Sequence, residues 1–162
     1  MNLRAQPARH RPAQTFGRLG VVAAALSLAI ACAAGCGGSA DSAADGGLTF
    51  AAAPIQKVQS DSGALLVAVH PQAGHTPARG ANALRYVITD SSGAPVEGVQ
   101  VTIAPWMPDM GHGSSVTPTV TAAGGGAYDI TNVYFPMPGR WDLVSKFTGP
   151  VSDAAKPSFQ IP

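Results

Sequence analysis

Ala83-Leu84-Arg85-Tyr86-Val87-Ile88-Thr89, then Asp90-Ser91-Ser92-Gly93-Ala94-Pro95, then Val99-Gln100-Val101-Thr102-Ile103 is the stretch that decides the fold. In the first segment Leu84, Tyr86 and Ile88 alternate with Arg85 and Thr89. In the last, Val99, Val101 and Ile103 alternate with Gln100 and Thr102. A period of two sends one set of side chains into a core and the other toward water, so each segment is a half-buried strand. Between them lie residues that favour turns, with short polar side chains able to bond their own backbone.

Working outward, the same grammar recurs. Residues 64–70 are nearly all apolar and predict a strand buried on both faces or close to it. Residues 115–121, rich in threonine and valine, predict another, and Gly124-Gly125-Gly126 supplies a tight turn. Tyr128, Ile130, Val133 and Phe135 form the next strand, with a slip of phase at Thr131-Asn132 that predicts a bulge. After a turn at 136–140, Trp141, Leu143 and Ser145 share one face with Val144 on the other, and 158–161 makes a last short edge strand. Trp141, in phase with Leu143, is expected in the core. About seven short antiparallel strands with no amphipathic helix predict an all-β, immunoglobulin-like sandwich, with a small barrel as the alternative.

Ahead of this unit the chain is built differently. The first 35 residues carry Arg4, Arg9, Arg11 and Arg18 and no acid, followed by an apolar run from Leu19 to Ala34 broken only by Gly20, Ser27 and Cys32. This is the layout of a secretory signal, and it is short of the roughly 20 apolar residues that span a membrane. Its end, Ala33-Ala34-Gly35-Cys36, resembles a bacterial lipobox, which implies lipidation of Cys36; Ala33 stands where leucine is usual, so a plain signal-peptidase cut is the alternative. Cys32, after Ala29-Ile30-Ala31, is a weaker site. The expected division is a lipoprotein signal peptide at 1–35, a Gly/Ser/Ala/Asp tether at 36–54 and the sandwich at 55–162. The expected product is a monomer anchored by its lipid, facing the periplasm or the cell exterior. Both cysteines lie in the leader or at its cut, so neither a disulfide nor a thiolate metal site is expected in the folded domain.

The charge balance changes with the leader. The whole chain has a net charge of +1, with ten basic and nine acidic residues. Removing four arginines and no acid leaves six against nine, a net of −3. That excludes a nucleic-acid binder on electrostatic grounds. Enzymatic chemistry also lacks its usual elements: no serine stands in a nucleophile elbow, no carboxylate pair stands out, and Gly124 to Gly126 has no lysine after it to form a phosphate loop. The chain is therefore read as a non-enzyme.

What remains is Pro105-Trp106-Met107-Pro108-Asp109-Met110-Gly111-His112-Gly113, answered by Phe135-Pro136-Met137-Pro138-Gly139-Arg140-Trp141. The prolines and glycines predict a loop holding Met107, Met110 and His112. If strands alternate in direction, the connections 71–82, 105–114 and 136–140 fall at one end of the sandwich and gather His75, Met107, Met110, His112 and Met137. The glycine turns at Gly93 and at Gly124 to Gly126 go to the other end. Neutral thioethers with an imidazole suit Cu(I) better than zinc or hard cations, and need no deprotonation in an oxidising compartment. Met107, Met110 and His112 are the expected copper ligands, with Met137 a third thioether and Trp106 able to stack over the cation. His75 is a weaker candidate and His70 is expected to end a strand. Asp109 is a candidate acceptor for orienting His112, against the plainer reading of a solvated loop acid. Against this stands a purely structural account, in which the methionines plug the end of the core and His112 bonds a backbone carbonyl.

Tyr86 to Asp90, the hairpin Gly93-Ala94-Pro95-Val96-x-Gly98-Val99-x-Val101, the element Met107-Pro108-x-Met110-Gly111-His112-Gly113, then Gly126-x-Tyr128 and Phe135-x-Met137-x-Gly139-x-Trp141 resemble the YtkA-like domain, a relative of FixH. The resemblance covers residues 83–147. It implies a secreted or membrane-tethered β-sandwich, and through FixH-type relatives an association with copper supply and oxidase assembly. A retained transmembrane helix, part of the FixH pattern, is replaced here by the lipobox-like cut. Two functions stay open at this point: delivery of copper through the Met/His element, or a metal-free module that recognises another envelope protein.

Overall fold

A computed structural model describes residues 47–162. The signal peptide, Cys36 and the tether up to residue 46 lie outside the described residues. The strands are β1 (Gln56–Gln59), β2 (Leu65–Pro71), β3 (Gly80–Asp90), β4 (Gln100–Met107), β5 (His112–Gly113), β6 (Thr119–Gly124), β7 (Ala127–Phe135), β8 (Gly139–Thr148), β9 (Asp153–Ala155) and β10 (Ser158–Ile161). They form two antiparallel sheets, ordered β1-β2-β3-β7-β6 and β10-β8-β4-β5, with β9 also on β8. The architecture is the expected all-β, immunoglobulin-like sandwich.

Among the described residues ten strands replace the expected seven, and the additions are short or polar. β1 has only Val58 among polar residues, while β5 and β9 have two and three residues, too few to show a period. β6 starts four residues later than the expected strand at 115–121, because Pro118 has no N–H to give and the Ser114 hydroxyl accepts the Val116 N–H in a local turn. β2 is not buried on both faces. Leu65, Val67 and Val69 are fully inside, while the alternate residues are only half covered because no second layer lies over that side. The bulge falls where the phase slips: Asn82 pairs with Val133 and Leu84 with Ile130, which leaves Thr131 and Asn132 opposite Ala83. Asn132 takes a positive φ of 58°, a conformation that asparagine tolerates better than most residues.

The core fills the space between the sheets. Leu84, Tyr86, Ile130 and Phe135 come from one sheet, Ile103, Trp141, Leu143 and Phe147 from the other. Trp141 is wholly buried, as its phase with Leu143 required. Polar contacts also cross the gap: the Tyr86 hydroxyl lies 3.1 Å from the Ser145 hydroxyl, which donates on to the Leu143 carbonyl at 3.0 Å, and the Val99 N–H donates to the Tyr128 hydroxyl at 3.1 Å. Burial pushes the Tyr86 phenol well above its ordinary pKa, outweighing the opposite pull of Ser145.

Each end of the sandwich is closed separately. At one end Gly126 accepts the Ile88 N–H at 2.8 Å, Gly125 donates to the Glu97 carboxylate at 2.6 Å, and Gly93 closes its own turn onto Asp90, so the glycine turns do gather there. Asp153 ties β9 to the β1–β2 turn; the Ser60 and Ser62 hydroxyls hold its carboxyl down at about 2. At the other end residues 49–51, assigned to the tether from sequence, run beside 71–73: Ala51 donates to the Pro71 carbonyl and Ala73 to that of Thr49. Phe50 covers the Arg85 guanidinium at 4.5 Å, while Arg85 itself holds Asp129 with two bonds of 2.6 and 3.0 Å.

Candidate functional site

Met107 is the last residue of β4, not part of a loop. Pro105 does not break the strand, because its carbonyl already points away from β8 and accepts from Ser114 at 3.0 Å. In an antiparallel ladder the N–H and C=O of one residue point the same way, so the missing N–H of Pro105 falls on the side where β5 has only two residues. The strand therefore carries Met107 inward, 6% exposed, by simple alternation from Val101 and Ile103. The turn after it closes when the Met110 and Gly111 N–H groups both donate to the Met107 carbonyl, at 3.3 and 3.0 Å.

This return makes His112 the direct cross-strand partner of Met107. Directly opposed residues share a face and hold their Cβ atoms about 4.5–5.5 Å apart, close enough for both side chains to meet one ion. The imidazole stands edge-on to Trp141, with ring centroids 5.8 Å apart and planes at 74°. Its Nδ1 lies 3.2 Å from the Gly113 carbonyl oxygen. A carbonyl only accepts, so Nδ1 carries the hydrogen and the Nε2 lone pair is left for a ligand. The acceptor that orients His112 is thus backbone and not Asp109, which lies exposed in the turn.

Met137 enters from the β7–β8 turn. Its carbonyl accepts the Trp141 indole N–H at 3.1 Å, and its side chain packs against the core, partly buried. Gly139, at φ 127°, leaves room for the Met107 methyl, where a Cβ would collide. His112 thus packs on Trp141, Met137 bonds it through a backbone carbonyl, and Met107 reaches Gly139, two residues before it, with the Phe135 ring 5.5 Å from the indole. These three fall at one end of the sandwich, and Met110 stands out from it, 63% exposed at the hairpin tip.

Other candidates fall elsewhere. Trp106 faces outward, 41% exposed, because it is one residue from Met107 in a strand; it lies on the opposite side of β4 from the thioether and cannot cover an ion held there. His75 is exposed and lines a cavity of about 130 Å³ with Arg79 and Asn82. His70 is the penultimate residue of β2, one short of the strand end expected for it, and its Nδ1 donates to the Ala51 carbonyl at 2.9 Å, which fastens the segment at 49–51. Among the described residues no three His, Cys, Asp or Glu side chains converge as a metal site. Any site here is a soft one, built on thioethers and one imidazole. The role of Trp141 as its floor was missed in sequence, where phase alone marked it as core.

Comparison with known proteins gives three findings. The sequence model of the family described as YtkA-like matches residues 59–146, just over half of the 162-residue chain. No curated protein matches it. Among solved structures the chain is similar to the Lin-41 filamin domain at 16% identity, over 59% of this chain and 91% of that one, with a TM-score of 0.39.

Proposed function

The chain belongs to the YtkA-like family, and from that premise we propose that it is a lipid-anchored envelope protein that binds or delivers Cu(I) through the methionine end of its sandwich. The observation that carries this reading is the cross-strand pair Met107 and His112, joined by Met137 around Trp141. Two neutral sulfur donors and one neutral imidazole nitrogen match the preference of Cu(I) for soft, low-charge sites. The donor set binds without releasing protons, provided that His112 is neutral. The turn at Met107, itself closed by hydrogen bonds, and the locked Trp141 would hold these side chains in place before the ion arrives.

Copper, when bound, would supply no reaction in this protein; it is cargo. The protein's own residues would do the rest: Met107 and Met137 provide sulfur, His112 provides Nε2, and Trp141 keeps water from the inner side. Lipidation of Cys36 would hold the protein at a membrane, facing the periplasm or the cell exterior. A relation to FixH and a role beside oxidase assembly belong to the same proposal.

The test is an anaerobic titration of the purified protein with Cu(I) against a chromogenic chelator, followed by NMR of the methionine methyl groups. One equivalent bound, with shifts at Met107 and Met137, supports the reading. No competition with the chelator overturns it. Cys36→Ala, in cells fed a labelled fatty acid, should remove the label and release the protein from membranes.

A second reading has its own observation. Met107 is almost fully buried and its methyl fills the space over Gly139, as a packing residue would. On that reading the domain is a metal-free recognition module, and the titration gives no binding.

A further inference from the structure

We infer that Met110 is the exchange ligand of this site: it takes Cu(I) from a donor at the surface and returns it to an acceptor, while contributing little to the affinity of the loaded protein. The inference rests on the copper reading above and adds a kinetic role that the reading does not contain.

The two methionines of one turn are placed in opposite environments. Met107 is 6% exposed, whereas Met110, three residues on, is 63% exposed, and the Met110 N–H donates to the Met107 carbonyl. A buried thioether cannot meet a partner protein's bound ion directly. An exposed one can. Cu(I) moves between soft donors by ligand exchange, in which an incoming ligand bonds before an outgoing one leaves, so a site whose inner thioether is buried would load and unload faster with an exposed thioether beside it. Met110 has an unbranched, flexible side chain anchored within one turn of the buried pair, so its sulfur can follow the ion inward.

The step balances without any redox change. A Met110 Sδ–Cu bond forms as a donor's ligand–Cu bond breaks. The Met107 Sδ–Cu, Met137 Sδ–Cu and His112 Nε2–Cu bonds then form as the Met110 bond and the donor's last bond break. Copper stays Cu(I), all four protein donors are neutral, and no proton moves.

The experiment uses the full chain and Cu(I) itself. Equilibrium affinity is read by chelator competition, and the rate of copper transfer from loaded protein to chelator by stopped flow. Met110→Leu keeps the shape and removes the sulfur at an exposed position, so folding is not at issue. The expected result is an affinity within about threefold of the wild type with transfer slowed about tenfold, a barrier increase of about 1.4 kcal/mol. In the same assay Met107→Leu should lose affinity. If Met110→Leu loses affinity as Met107→Leu does, Met110 is a resident ligand and the inference is wrong. If affinity and rate are both unchanged, it is wrong as well. Absence of binding by the wild type overturns the copper reading itself, an outcome distinct from both.

Discussion

Met107 and His112 face each other across the β4–β5 ladder, both turned into the end of the sandwich, while Trp106 and Gly113, the neighbouring pair, turn outward. The register decides the chemistry. A slip of one residue would put the tryptophan inside and the thioether in solvent.

The first prediction follows from that pair. Met107→Leu with His112→Gln should abolish Cu(I) binding while the domain stays folded, because Leu for Met at a buried site costs less than about 1.5 kcal/mol and His112 is only partly buried. Chelator competition and thermal denaturation on the same sample give the two readouts. Retained affinity in the double variant would remove both residues from the proposed site.

Trp141 offers an optical check. The chain has two tryptophans, and Trp106→Phe leaves Trp141 alone, edge-on to His112 at 5.8 Å. Its emission should be quenched by one equivalent of Cu(I) in that variant. Trp106 lies on the far face of β4, so Trp106→Phe should leave the affinity itself unchanged. An emission that ignores copper, in a protein that binds it, would place the ion elsewhere.

Much of this arrangement was legible in the sequence, and the parts that were not have physical causes. Alternation at Leu84, Tyr86 and Ile88, and at Trp141 and Leu143, marks the buried faces because a strand has only two sides. The phase slip at Thr131-Asn132 reports the bulge for the same reason. Strand parity brings the 105–114 and 136–140 segments to one end. Parity cannot say which way a side chain turns within its end, so Met110 reads like Met107 until the two-residue β5 fixes the register. Pro105 read as a breaker because sequence does not show that its missing N–H falls on the side where the ladder stops.

Tyr86 predicts a loss of stability at high pH. Burial, the larger cause, raises its folded pKa far above the unfolded value of about 10. Below pH 10 both states keep the proton and the contribution of the buried phenol is complete. Above it the unfolded chain releases a proton that the folded chain holds, so stability falls by about 1.36 kcal/mol per pH unit. Tyr86→Phe should lower stability at pH 7 by about 1 kcal/mol, since Ser145 keeps its bond to Leu143, and should remove one proton's worth of that alkaline slope. Urea melts between pH 8 and 11 measure both. An unchanged slope would mean that the Tyr86 phenol ionises while folded.

Gly139 and Gly126 separate packing from ligation, because each sits at one end of the sandwich and each excludes a Cβ. Gly126 has φ 73°, and a Cβ there would lie 2.6 Å from the Ile88 carbonyl oxygen and 3.0 Å from Pro95. Gly139 has φ 127°, and its Cβ would run into the Met107 methyl. Alanine at either position should lower stability by about 1–3 kcal/mol through backbone strain alone. Their effects on copper should differ. Gly126→Ala disturbs the end that carries the glycine turns and should leave Cu(I) affinity at the wild-type value in whatever fraction is folded. Gly139→Ala forces the Met107 side chain to move and should weaken binding in the folded fraction as well. Melting temperature and chelator competition, measured together on the two variants, give four numbers. Equal loss of stability with affinity reduced only for Gly139→Ala supports Met107 as a ligand. Equal affinity in both would make Met107 a filler of the sandwich end, whose sulfur is incidental.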